Sequence, residues 1–249
     1  MDIIQHLPEA NAQARAFILE DLLGEVAFAD LSSRANAVAL MLLPFLRNDI
    51  ETPYPLHLIQ AGGQARGASY LAKLCLSGAF GRPMAYLAGT PDDLARITRL
   101  MDTSHHEIGY LWVKNDGHGQ SEAIADALAS WRAADLTGRQ CAVRVMTHGS
   151  GVSPLNAAGR VPITLCPRPD DWFTRDPLRD LKDLRVLIAH AASVLVSQWI
   201  AANRPQGPDC PNFPQWSAII GGILQANNIE GFQPPAPAIT QDSAFSTQD

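Results

Sequence analysis

Between residues 56 and 165, short apolar runs alternate with helix-patterned stretches, and this alternation most limits the folds open to the chain. The apolar runs fall at 56–60, 84–88, 108–113, 141–147 and 160–165. Helical patterning fills 69–79, the run PDDLARITRLMD behind Thr90, and SEAIADALASW. Strands separated by helices pair in parallel, because each crossover returns the chain to the edge it left. The expected class is α/β, a three-layer core around a largely parallel sheet.

Helical segments flank that core. Residues 9–24 and 31–47 carry helical periodicity, with Asp30 or Ser32 as N-cap of the second. Thr90 is placed to cap its helix, with Pro91 in the first turn and acids beside it. After Pro169 the run DPLRDLKDLRVLIAHAASVLVSQWIAANRP sets Leu181, Leu184, Leu187, Ile188, Ala191 and Leu195 on one helical face. NFPQWSAIIGGILQANN follows as a further helix, expected to bend near Gly221–Gly222. The implied organisation is a helical lead-in over 1–50, a core over 51–169, a helical C-terminal lid over 170–232 and a tail over 233–249. The tail is rich in Pro, Ser, Gln and Asp and is expected to be disordered.

The core opens on HLIQAGGQARGASYLAKLCL, residues 57–76. Here an apolar run meets Gly62 and Gly67, five apart, and then a helical run from Ser69. A phosphate-binding loop has this outline and demands Gly-x-x-x-x-Gly-Lys-Ser/Thr. The frame gives Gly62, Gly67, Ala68 and Ser69, so alanine fills the lysine slot. Taken alone, these glycines also fit an ordinary strand-to-helix turn.

Several other chemistries find little support. Cys75, Cys141, Cys166 and Cys210 form no Cys-x-x-Cys pair, so a zinc knuckle or redox motif is not expected. The His105–Glu107 cluster reads as a solvated loop, and no metal site is expected. No Gly-x-Ser-x-Gly occurs. The N-terminus lacks the pattern of a signal peptide, and no apolar run approaches the roughly 20 residues of a membrane helix, so a cytoplasmic protein without membrane partners is expected. A net charge of −6 argues against a nucleic-acid-binding field over the whole chain. A local patch from Arg132, Arg139 and Arg144 would face DNA in a ring, or form a solvated face. Trp131, Trp199 and Trp216 read as core or interface residues.

Five segments in order carry a family resemblance. They are FADLSSRANAVALMLLPFLRNDI at 28–50, PLHLIQAGGQARGASYLA at 55–72, ALASWRAADLTGRQ at 127–140, AAGRVPITL at 157–165 and FPQWSAIIGGILQANNIEGF at 213–232. The chain over about 25–232 resembles the helicase-like P-loop ATPase domain, of AAA+ and superfamily 3 type, of phage and plasmid primase–helicase proteins. The last segment, with its Trp, Gly-Gly-Ile-Leu and Gly-Phe, is the most individual match.

The resemblance implies a P-loop NTPase-like core, a DNA-replication context and specific site positions. In an active member the loop lysine contacts the β- and γ-phosphates, Ser or Thr ligates magnesium, and a strand-end acid holds the metal's water shell. Ser69 keeps its place, and Ala68 does not supply the lysine. The acid position aligns with Lys114 and then Asn115, or with Asp116 after a slip of one or two residues. Thr147 or His148 falls at the polar sensor position, and Arg160 at that of an arginine reaching a neighbour's nucleotide. The implied protein is a degenerate, non-catalytic helicase-like domain without a cofactor, at most binding ATP or an anion weakly. Ala68→Lys alone is expected to restore at most binding. The implied partners are replication proteins, further copies of the chain, or DNA, with any primase module on a separate protein. The alternative is an atypical ring helicase subunit that binds or hydrolyses ATP.

Overall fold

The computed structural model describes residues 3–46, 49–50, 54–61, 66–103, 110–115, 121–130, 143–149, 159–167 and 181–235. Its centre is a five-stranded, all-parallel sheet of β1 (Leu56–Ala61), β2 (Tyr86–Leu87), β3 (Tyr110–Asn115), β4 (Val143–Gly149) and β5 (Arg160–Leu165), in the order β2-β3-β4-β1-β5. The fold is thus α/β with a parallel sheet, and four of the strands overlap the longer apolar runs closely. β2 is shorter than the run at 84–88.

Topology decides which face each helix covers. The chain leaves β1 through α3 (Arg66–Phe80) and travels to the far edge at β2. It then returns one strand at a time through α4 (Pro91–Thr103) and α5 (Ser121–Ser130). Because right-handed crossovers place outbound and returning helices on opposite faces, two apolar layers form. Leu94, Ile97, Ile124, Ala125 and Leu128 pack with Leu56, Leu58, Leu111, Val113 and Met146 on one side. Ala68, Leu71, Ala72 and Cys75 pack with Ile59, Val145, Val161 and Ile163 on the other.

The second side is the thicker. It carries α1 (Ile3–Ala16), extended by a π-helical turn at Phe17–Leu22, and α2 (Leu31–Leu42), closed by a 3-10 turn at Leu43–Phe45. It also carries α6 (Leu181–Ala201) and α7 (Pro214–Ala226). Asp30 is the N-cap of α2, its carboxylate accepting from Ser33 N at 2.6 Å. Residues 35–42 are all buried, because α2 lies against β5, α3 and α7 together. Thr90 and Asp93 cap α4 reciprocally: Thr90 Oγ1 accepts from Asp93 N at 3.2 Å and Asp93 Oδ2 accepts from Thr90 N at 3.0 Å. Lead-in, sheet and C-terminal helices share one apolar cluster.

Two expectations about the C-terminal helices change. The window Leu184–Ala201 of α6 is long and apolar enough to cross a membrane by length and composition. In the fold this helix packs on α1, α3 and α7 and buries Leu184, Ile188, Ala191, Ala192, Leu195 and Trp199. Leu187 is exposed, because it sits about 100° around the helix from Ile188. α7 runs through Gly221–Gly222 without a break. The glycines form a notch there, not a hinge. The segment at 205–208 lies against them, with Gly207 N donating to Ala218 O at 2.9 Å and Ser217 Oγ donating to Pro208 O at 2.6 Å. A Cβ on Gly222 would stand 1.9 Å from Pro205 O, and one on Gly221 would stand 2.8 Å from Pro208 Cδ.

Candidate functional site

In a doubly wound sheet, ligands bind beyond the carboxyl ends of the strands, where outgoing connections part to opposite faces. β1 lies between β4 and β5, and its exit runs to α3 on the face opposite α5. The carboxyl end of β1 is therefore the switch point, and the glycine loop belongs to it. Residues 62–65, including Gly62, lie outside the described residues.

The start of α3 shows how the residues after β1 are used. The helix begins at Arg66, so Gly67, Ala68 and Ser69 already lie in it. Ala68 is 0% exposed and belongs to the main core. Its Cβ is packed among core side chains. Gly67 is under no steric demand, since an added Cβ would meet only Leu165 Cδ1 at 3.6 Å. The half-buried Ser69 has a buried Oγ with no hydrogen-bond partner. Gln60, the next-to-last residue of β1, has a buried Nε2 in the same condition.

The end of β3 is occupied by structural contacts. Asn115 is fully buried, its Nδ2 donating to Ala88 O at 3.0 Å and its Oδ1 accepting from Ser121 Oγ at 2.9 Å. One amide thereby ties β3 to the residue after β2 and to the first turn of α5. Lys114 stands opposite Thr147 in the sheet, and its backbone oxygen accepts from Ala88 N. Thr147 is buried, with Oγ1 accepting from Trp112 Nε1 at 3.1 Å. His148 lies in β4 opposite Gln60 and Asn115; its side chain and Asp116 lie outside the described residues. Among the described residues, no Asp or Glu stands at the carboxyl end of β1, β3, β4 or β5, and no group of three His, Cys, Asp or Glu is placed to hold a metal.

The arginines expected at functional surfaces sit elsewhere. Arg144, Leu56 and Arg160 share one register row at the amino ends of their strands. That row lies five residues, about 17 Å, from the carboxyl end. Arg160 does not present itself to a neighbouring nucleotide: its side chain is 1% exposed, with Nη1 2.8 Å from Glu122 Oε1 and Nη2 bonded to Asp126. Arg144 does not face DNA, because it is buried and its Nη1 donates to Leu128 O at 3.1 Å and Ala129 O at 2.6 Å, its Nη2 to Tyr54 O. Together they hold α5 on the sheet, one at each end of the helix; Arg144 also satisfies carbonyls of the last turn. Arg132 and Arg139 lie outside the described residues.

His57 and Arg66 were not anticipated as site residues. Arg66 is the first residue of α3, two places before Ala68. His57 is fully buried on β1, edge-on to Trp216 of α7 with ring centroids 6.1 Å apart. Burial first, and then the Arg144 charge, hold its pKa down from 6.5 to about 3, so the ring is neutral. Phe232 completes the stack at 5.4 Å from Trp216. Gly231, at φ 93°, delivers Phe232, and a Cβ on it would lie 2.6 Å from the Leu31 carbonyl carbon. An isolated histidine inside an apolar strand pattern carries no signal that separates this core role from a ligand role.

No protein-family model matches this chain, and no curated protein matches it.

Proposed function

We propose that this chain is a catalytically degenerate, helicase-like domain of a phage or plasmid replication system. It acts without turnover, as a module that engages replication proteins or further copies of itself. The observation that carries the reading is the use made of two residues, Ala68 just after β1 and Asn115 at the carboxyl end of β3. Ala68 spends its side chain on the core, and Asn115 spends both ends of its amide on Ala88 and Ser121. Phosphoryl transfer needs a cation on the phosphates and an acid behind the metal, and neither of these residues supplies one. A charge-assisted phosphate contact is worth about 1.5–3 kcal/mol before any transition-state effect, so the lysine's loss alone weakens binding markedly.

A second reading, nucleotide or anion binding without hydrolysis, draws on the α3 amino terminus, the adjacent Arg66 and the unpartnered Ser69 Oγ. Titration of a fluorescent ATP analogue with and without magnesium separates the two, with mass photometry reporting assembly. The first reading expects no saturable, magnesium-dependent binding and a monomer or weak oligomer. Saturable binding that Arg66→Ala removes would establish the second. A stable hexamer in dilute, nucleotide-free solution would favour a ring subunit over both.

A further inference from the structure

We draw no further inference here: the strongest candidate, the open edge of the sheet at β2 where Met84, Tyr86 and Leu87 are exposed, carries nothing because nothing in the structure shows what covers it.

Discussion

At Gly222 an added Cβ would stand 1.9 Å from the Pro205 carbonyl oxygen, whereas at Gly67 it would meet a single methyl carbon at 3.6 Å. The two glycines belong to the two parts of the sequence that most invite a functional reading, the C-terminal Gly-Gly-Ile-Leu segment and the passage from β1 into α3. In the first, glycine is required by backbone packed on backbone. In the second, the residue on which a phosphate loop would depend meets no comparable constraint. Among the described glycines the tightest approach is at Gly222, where α7 is fastened to the segment at 205–208. Beyond β1 space is filled by Ala68, and at the end of β3 hydrogen bonds are absorbed by Asn115. This distribution fits the proposal of a domain that acts through its shape and not through catalysis.

The contrast breaks most sharply at Gly222. A methyl group there forces α7 away from Pro205, and Gly222→Ala is expected to cost about 3 kcal/mol or more. A denaturant midpoint within about 0.5 kcal/mol of the parent would show that the notch is not packed as described. Ala68→Lys comes next. The structure narrows the expectation that this change restores at most binding, because the side chain must enter the core or distort the first turn of α3. Overpacking alone costs roughly 1–3 kcal/mol. The variant should melt below the parent and bind the ATP analogue no better; unchanged melting with gained binding would place residue 68 at the phosphate side after all.

His57 gives a prediction of intermediate size. Its folded pKa lies below the ordinary one, so the fold accepts only the neutral ring. The contribution is fully present above pH 6.5 and is lost as pH falls from there toward about 3. At about 1.4 kcal/mol per pH unit, the parent should lose roughly 2 kcal/mol between pH 6.5 and pH 5. His57→Leu should lack that slope in urea titrations at the two pH values, and equal slopes would mean that His57 is wetter than its burial indicates. The smallest effect belongs to Gly67→Ala, a methyl on a helix that would meet Leu165 Cδ1 at an ordinary contact distance of 3.6 Å. It should raise stability by about 0.5 kcal/mol through the unfolded chain's reduced freedom. A loss of stability there would mean that the loop side is constrained as tightly as α7.

Much of the layering was legible in sequence. Apolar runs at strand length, separated by capped helices, fixed the parallel sheet, and the Asp30 and Thr90 caps are local chemistry that a sequence displays directly. Gly221–Gly222 read as a bend because local propensity knows only that glycine weakens a helix. The close approach of 205–208 is a tertiary fact. The site was less legible for a similar reason. The resemblance put Ala68 at the lysine position and Lys114, then Asn115, or Asp116 after a slip, at the acid position, but only packing shows that Ala68 is core and Asn115 an internal tie. Arg144 and Arg160 read as surface cations, since an arginine in a strand gives no sign that a helix will supply its partners. Glu122 and Asp126 for Arg160, and the last-turn carbonyls of α5 for Arg144, come from 15 to 38 residues away.

The most direct test of the central claim is phosphate release from ATP by the unmodified protein with magnesium present, measured over a range of protein concentrations. A domain whose lysine slot is core and whose strand-end residue is an internal tie should release phosphate at the buffer background at every concentration. Release that rises with protein and stops on chelation of magnesium would contradict the account, and would require the metal-side acid to lie outside the described residues, at Asp116.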